Sequence, residues 1–559
     1  MKYWRGRRVD ENPRRRTPRY LIAGVATGLL AGVGLGLMLI NGEHVAAVVA
    51  SVLAALVGLG VRIAAPASLR RPVAAIVGLS FAMHVAAATV IYFGSLAAGR
   101  GGFVTGDDAS YANLSWAFAR YLAGDPQPPH VPPAWAGDEY LFGTWVYLES
   151  AIFFVFGPRV LLPLLLNAAL SSGLVLLLFD LCRRLFGSTA ALLAAALIAF
   201  YPSLMLWSSL NLKDALALFL IGLCLWCLAR FHAGARWSAL VGASAVLVLM
   251  ESLRWYVFIG LAIIVPLAVV LAPRLSLVPR LRWSAGAALV SALLVASNGL
   301  GIAGMASGSG PLAALESTRQ NMAQQSRTGF IDIPVQAREG DTLVVPTSPP
   351  RAGTTSSPES TPRIVHVSAN TRLVVVTTLP ANPIPGTVYV RPGDVVVVGG
   401  AGVSPAPSDR RTVLPRAPEE GGTNAQLVPA TAPGGNDALV PRTLGHLPIG
   451  VMHALFAPFP WAIGRLADWL TLPDMLLWYG LLAAVPWTLW RARHLWRSWS
   501  PLLLFVGGIL LILALTEGNV GTLYRHRAMV IPFVALLAAP SLLTVGRWGR
   551  ARLSPPPPA

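Results

Sequence analysis

Two neighbouring carboxylates, Asp107 and Asp108, are the side chains whose types and spacing most directly suggest chemistry in this sequence. One carboxylate can abstract a proton from an acceptor hydroxyl while its neighbour orients the acceptor or a metal ion. The alternative is that one Asp caps a helix over about 109–122, because Asp is favoured at that position. Both interpretations can hold at once, with one Asp capping and the other reacting.

Three consecutive basic residues, Arg525, His526 and Arg527, form a second candidate site. A guanidinium offers a planar fork of donors that suits phosphate. The cluster opens an apolar stretch at the end where basic residues are ordinarily scarce. We therefore expect an anionic group to compensate it.

Lys213 and Arg254 are two further cations beside apolar stretches, and each has an acidic neighbour in the sequence. One interpretation is that both bind phosphate together with the cluster 525–527. The other is that they form ordinary ion pairs, Lys213 with Asp214 and Arg254 with Glu251. Polar groups beside a membrane span are costly, so each is a functional hypothesis to weigh against helix-end anchoring.

The elements that carry these residues are predicted to be membrane helices. Of the 559 residues, 55% are hydrophobic and 12% are charged, about half the charged fraction of a soluble protein. A span needs roughly 20 apolar residues. Twelve stretches qualify, namely 20–40, 45–64, 73–95, 160–181, 188–204, 211–231, 237–252, 254–272, 283–304, 474–490, 499–516 and 526–545. We read 144–157 and 447–463, which are short and interrupted by proline, as interfacial or re-entrant helices.

The chain is predicted to be an all-α polytopic membrane protein of five parts. The first part is a basic cytoplasmic tail. The second is a membrane domain whose outer loop carries the paired carboxylates. A hydrophilic insertion, rich in β-branched strand segments and in low-complexity turns, is expected to be β-rich with disordered parts. Further membrane helices and a second tail follow. The five parts are 1–19, 20–304 with the loop 96–143, 305–446, 447–546 and 547–559.

The net charge of +18 becomes informative once it is sorted by side of the membrane. If the N-terminus is cytoplasmic and the spans alternate, the inner segments sum to about +21 and the outer ones to about −3. Arg and Lys concentrate on the cytoplasmic side of membrane proteins. The basic character is therefore an orientation signal that places both termini in the cytoplasm, and it indicates no nucleic-acid partner.

The same topology places every candidate residue at the outer membrane–water boundary. Anchoring alone would scatter such residues over both faces. We therefore expect a site where the loop after the third span meets the ends of later spans.

An ordered series of motifs resembles the integral-membrane glycosyltransferases of the GT-C fold, the superfamily of protein O-mannosyltransferases and the lipid A aminoarabinose transferase. No single motif is highly specific, whereas the series is. Its members include the segments 106–111, 147–157, 183–187, 201–214 and 518–527. The resemblance covers about 72–304 and 446–545, and the last motif is most similar to bacterial envelope-polysaccharide enzymes.

The resemblance implies transfer of a sugar from a polyprenyl-phosphate carrier to a glycan, lipid or protein acceptor at the outer face of a bacterial inner membrane. An acidic residue of the first loop would be the catalytic base, with Asp107 aligning best, in an inverting displacement. Lys213, Arg254, Arg525, His526 and Arg527 would then bind the donor phosphate. We expect Tyr111, Asp214, Glu251 and Tyr256 to contact the substrate.

Two other classes of protein remain open from the sequence. A flippase or transporter of lipid-linked glycans would carry ionisable residues at the bilayer midplane and an internal repeat, neither of which is evident. A polysaccharide polymerase or ligase would also be a multi-span protein with basic residues on the outer face. No cofactor is predicted with certainty; a divalent cation, Mg or Mn, would use Asp107 and Asp108.

Overall fold

The computed structural model describes residues 17–125, 143–234, 236–297, 439–459, 469, 471–517 and 520–553, together with six short strands between 342 and 413. Outside the strands, these residues are almost entirely helical. The helices are long and apolar because, within hydrocarbon, the backbone must satisfy its hydrogen bonds inside each segment.

The described residues before the insertion form twelve α-helices. In chain order, α1 to α12 are Thr17–Ile40, His44–Ala64, Arg70–Ala97, Gly106–Leu122, Thr144–Phe156, Leu161–Phe186, Ser188–Ala199, Pro202–Ser208, Asp214–Gly234, Trp237–Glu251, Trp255–Val270 and Leu277–Ser297.

The described residues after the insertion form five α-helices. They are α13 to α17, at Leu439–Phe456, Leu472–Arg491, Trp496–Thr516, Val520–Arg527 and Ile531–Leu553.

The described parts of the insertion are strands. β1 to β6 are Thr342–Val345, Arg363–His366, Arg372–Val375, Thr387–Val390, Val395–Gly399 and Arg411–Val413. A four-stranded sheet has the order β2-β1-β5-β6, with all three pairings antiparallel, and β3 pairs with β4 in parallel. The connections, including the segments 350–362 and 401–440 expected to be disordered, lie largely outside the described residues. The division of the chain into five parts stays a prediction.

The chain is a multi-pass membrane protein. Among the described residues, seven helices are long and apolar enough to cross a bilayer, and each of two bent pairs, α7 with α8 and α16 with α17, would add one more. Each of the twelve predicted spans coincides with a helix or a bent pair. Helices α10 and α11, however, have only 15 and 16 residues, too few for a typical hydrocarbon core. The count of twelve therefore stays a prediction.

The centre of the described structure is the pair α6 and α9, which pack against each other. Both are buried over most of their length. A Cβ at Gly222 of α9 would lie 2.6 Å from a methyl group of Leu174 on α6. A larger residue at this position would require the Leu174 side chain to move, because the two helices approach closely there.

Packing around this pair brings four distant segments of the chain to one end of the bundle. They are the first turn of α4, the start of α9, the turn between α10 and α11, and the end of α16. The four segments carry Asp107, Asp214, Arg254 and Arg525, and the fold thereby assembles one polar site from residues up to 418 positions apart.

Candidate active site

Asp214, the first residue of α9, is the centre of the site. Its Oδ2 accepts hydrogen bonds from Nε and Nη2 of Arg525, at 3.0 and 2.7 Å. Its Oδ1 accepts one from Arg254. The Asp214 and Arg254 side chains are almost completely buried. A buried carboxylate that accepts from two guanidiniums holds both in fixed positions.

Asp107, in the first turn of α4, connects this helix to the array. Its Oδ2 accepts a hydrogen bond of 2.6 Å from Nη1 of Arg525. The Asp107 side chain is 57% exposed, whereas that of Arg525 is 17% exposed. The second carboxylate oxygen of Asp107 makes no hydrogen bond within the described residues, so it can accept a proton from a ligand.

Asp108, unlike Asp107, stabilises the start of helix α4 through hydrogen bonds with the backbone. Helix α4 begins at Gly106, and Thr105 is its N-cap, so the predicted start at about residue 109 is three residues too late. The Asp108 carboxylate accepts from the backbone N–H groups of Val104, Thr105 and Ala109, each at 2.9 Å. Thr105 Oγ1 in turn accepts from the Asp108 N–H, which completes a capping box. The buried Asp108 side chain is therefore committed to holding the loop.

Lys213 lies beside this array without an acidic partner. Its ammonium lies 5.6 Å from the centre of the Tyr111 ring, and it forms no ion pair in the part of the chain that the structure describes. Burial and the nearby charge of Arg254 lower the pKa of Lys213 to about 8. Burial beside Asp107 raises the pKa of Tyr111, so its hydroxyl remains a neutral donor.

The predicted ion pairs between sequence neighbours do not form. Asp214 pairs with the two arginines rather than with Lys213. Arg254 pairs with Asp214, and Glu251 makes no hydrogen bond or ion pair within the described residues. The helical turn at the end of α10 instead places Arg254 beside Tyr256, whose hydroxyl accepts from Nη1 at 2.7 Å. Glu251 is therefore not part of the array.

The basic cluster 525–527 divides into three different environments. His526 Nδ1 is hydrogen-bonded to the buried carboxylate of Glu517, and its ring lies 5.7 Å from that of Tyr256. Its imidazole is therefore held by Glu517 beside Tyr256. Only Arg525 projects to the carboxylates of the site.

Arg527 is not brought to the site. Its side chain is completely buried, donates to the carbonyl oxygen of Ala457 at 2.5 Å and lies over the rings of Trp478 and Tyr524. On the helix α16, residues two apart lie on different faces. Arg525 and Arg527 consequently point into different surroundings, and Arg527 is removed from the proposed phosphate-binding set.

The paired carboxylates do not fit a cation site. Both oxygens of Asp108 accept backbone hydrogen bonds, and Asp107 is bound to a guanidinium. Among the described residues, no group of three or more His, Cys, Asp or Glu side chains has an arrangement that could hold a metal ion. No step of the mechanism below therefore uses Mg or Mn.

Glu149 is a buried residue beneath the site that the sequence reasoning missed. Its Oε1 accepts from Asn211 Nδ2 at 2.7 Å and its Oε2 from Ser115 Oγ at 2.8 Å. Asn211 also donates to the carbonyl oxygen of Asp108. Glu149 thus links the capped loop to the segment that leads into Asp214. The signal in the sequence was a lone carboxylate in the apolar helix α5.

Burial raises the pKa of Glu149 to about 7, which makes the stability of the protein depend on pH. The folded state binds the proton more tightly than the unfolded state, so the free energy of unfolding falls as pH rises from about 4.5 to about 7. We expect Glu149→Gln to remove this part of the pH dependence, about 3 kcal/mol in total. Thermal unfolding of the wild type and of Glu149→Gln in detergent, measured from about pH 4.5 to about pH 7, tests this expectation. If the stability of both proteins fell equally as the pH rose, Glu149 would not be the group responsible.

Comparison with known protein families bears on the central part of the chain. Residues 144–300 match the family model described as dolichyl-phosphate-mannose-protein mannosyltransferase. Over these residues, the chain is similar to that family of mannosyltransferases. The match confirms the resemblance to GT-C membrane glycosyltransferases, and it supports glycosyltransferase activity with a polyprenyl-phosphate-linked sugar donor. The bacterial envelope-polysaccharide subtype stays a prediction.

The mannosyltransferase match includes Lys213, Asp214 and Arg254 but neither Asp107 nor Arg525. The structure therefore links the matched segment to the two residues outside it through the hydrogen bonds of Asp214 and Arg525. No curated protein and no solved structure matches this chain at a significant level.

Proposed function

We propose that this protein transfers a sugar from a polyprenyl-phosphate carrier to a glycan, lipid or protein acceptor of the bacterial cell envelope, at the outer face of the inner membrane. The observation that carries the proposal is the array Asp107–Arg525–Asp214–Arg254, with Lys213 beside it. A partly exposed carboxylate and two cations at one end of a helical bundle suit an acceptor hydroxyl and a lipid phosphate.

In the proposed reaction, the acceptor oxygen attacks the anomeric carbon of the sugar as the bond from that carbon to the phosphate oxygen breaks. The bonding electrons leave with the phosphate, which departs as polyprenyl phosphate. The acceptor proton moves to the free oxygen of Asp107. A single displacement of this kind inverts the anomeric configuration.

Lys213 and Arg525 are proposed to hold the phosphate. Negative charge grows on the leaving oxygen, and fixed cations stabilise it without a proton donor. Lys213 has no carboxylate partner to give up, whereas Arg525 can exchange part of its pairing with Asp107 for the phosphate. Arg254 is a positioning residue, because its buried guanidinium holds Asp214 and Asp214 holds Arg525.

The array argues against the flippase alternative. Its residues Lys213, Asp214 and Arg254 lie within 144–300, the segment that is similar to a glycosyltransferase family, and this similarity supports a transferase over a transporter. A polymerase or ligase would use a diphosphate-linked glycan. A comparison of monophosphate-linked and diphosphate-linked sugar donors therefore separates that class from the proposed transferase.

We expect Lys213→Met to weaken donor binding by about 10- to 100-fold, the loss typical of one charge-assisted hydrogen bond. Wild-type affinity should also fall as pH rises through about 8, because the ammonium of Lys213 loses its proton there. Binding of a fluorescent polyprenyl phosphate to purified protein in detergent measures both effects.

Lys213→Arg serves as the matched control, since arginine keeps its charge at every accessible pH. The variant should retain donor affinity up to about pH 9. If the methionine variant binds the lipid phosphate as tightly as wild type, with the same pH profile, Lys213 is not a phosphate ligand.

A further inference from the structure

A cavity lies among the first three helices, and none of its lining residues belongs to the site described above. It has a volume of about 560 Å³ and is bounded by α1, α2 and α3. Its walls are apolar and include Leu35, Val57 and Phe81. The hydroxyls of its two polar wall residues, Thr27 and Ser51, donate to carbonyl oxygens of their own helices. A cavity of this size and lining is typical of a ligand-binding pocket.

Three arginines line one end of this cavity. Arg62 lies in the last turn of α2, and Arg70 and Arg71 form the first turn of α3. All three side chains are exposed, and none forms an ion pair with an acidic residue in the described ranges. Arg70 makes a single hydrogen bond of 3.4 Å, to the carbonyl oxygen of Ala65.

Several other arginines at helix ends that are predicted to be cytoplasmic are neutralised or covered. Arg183 and Arg184 pair with Asp180. Another group lies over tryptophan rings at 5.4–6.0 Å. Its members are Arg491, Arg493 and Arg497. Within the described residues, the arginines of the cavity lack both kinds of partner.

The cavity is apolar, and the three guanidiniums at its end form no ion pair within the described residues. This combination suits a lipid, whose acyl chain is apolar and whose headgroup phosphate is anionic. Guanidinium forks bind phosphate in bidentate fashion, and the start of α3 adds the positive end of a helix dipole. Basic pockets between membrane helices on the cytoplasmic side bind lipid headgroups.

We propose that this cavity binds an anionic phospholipid of the cytoplasmic leaflet. The headgroup phosphate lies on Arg62, Arg70 and Arg71, and one acyl chain fills the space between α1, α2 and α3. The bound lipid fixes the first two helices against α3. This site is separate from the proposed transfer of sugar and does not depend on it.

The test measures phosphatidylglycerol bound to the purified full chain by native mass spectrometry, with phosphatidylcholine as the neutral comparison. The variant Arg62→Gln/Arg70→Gln/Arg71→Gln should lose bound phosphatidylglycerol by at least about tenfold. The matched control, Arg491→Gln/Arg493→Gln/Arg497→Gln, removes the same charge from helix ends on the same predicted side and should retain the lipid.

A second variant tests the apolar part alone. Ala54→Phe/Ala74→Phe leaves the arginines in place, narrows the cavity and should also reduce bound phosphatidylglycerol. Equal losses in the two arginine variants, equal binding of phosphatidylcholine, or no effect of cavity filling would overturn the proposal. Displacement of phosphatidylglycerol by a lower concentration of polyprenyl phosphate would overturn the assignment of the occupant.

Discussion

Asp107→Asn lowers the turnover of the purified enzyme by at least about 100-fold, the usual contribution of a general base. Asparagine has nearly the shape of aspartate but cannot take up the acceptor proton. Arg525 stays in place because it retains both hydrogen bonds to Asp214. The rate of sugar transfer from a polyprenyl-phosphate donor, measured under donor saturation, reports the loss. Donor affinity should change little.

Asp108→Asn is the matched comparison because it changes the neighbouring carboxylate in the same way. We expect it to lower the unfolding free energy by about 0.5–2 kcal/mol, as loss of a helix cap does. Asp107→Asn should leave stability unchanged, since its side chain is mostly exposed. If Asp108→Asn abolished turnover in a protein of wild-type stability while Asp107→Asn remained active, the two roles would be reversed.

Asp214→Asn is expected to be the most destabilising single change in the site. The carboxylate compensates two guanidiniums, and Arg254 is buried against it. Removing one partner of a buried pair leaves an uncompensated charge and typically costs about 3–5 kcal/mol. The midpoint of thermal unfolding in detergent should fall accordingly, and transfer activity should be lost with it.

The double variant Asp214→Asn/Arg254→Met is the control for this prediction. It removes the uncompensated buried cation and should recover much of the stability. Activity should remain low, because Arg525 has lost the carboxylate that positions it. A single variant as stable as wild type would show that Asp214 does not hold the array together.

Much of the fold was accessible from the sequence because lipid imposes a simple rule on it. Apolar stretches of about 20 residues predict spans, and all twelve predicted stretches contain helix. Length limits the prediction at α10 and α11, where the mostly apolar residues 237–272 fold as two helices shorter than a typical span. Hydropathy does not show where a turn shortens a helix.

The residues of the site were also largely predictable, whereas their pairings were not. Alternating topology placed Asp107, Asp214, Arg254 and Arg525 at one end of the bundle, where the structure brings them together. Sequence neighbours suggested local ion pairs instead. The actual partners lie 40 to 418 residues apart, and only helix packing determines them.

Side-chain direction accounts for the remaining differences. Arg527 belongs to a basic cluster in the sequence, but the turn of α16 directs it into the core. Glu149 was missed because it lies in an apolar helix, where its partners Ser115 and Asn211 come from other segments. A single carboxylate in an apolar helix therefore indicates buried polar partners from other segments, as at Glu149.

The most direct test of the proposed sugar transfer compares two lipid-linked sugar donors that differ by one phosphate. Purified wild-type protein is incubated with a cell-envelope extract as acceptor and with either a polyprenyl-monophosphate sugar or its diphosphate counterpart. We expect wild-type protein to release polyprenyl phosphate from the monophosphate donor, and Asp107→Asn to abolish this release. Consumption of the diphosphate donor alone, or equal release by wild type and Asp107→Asn, would contradict it.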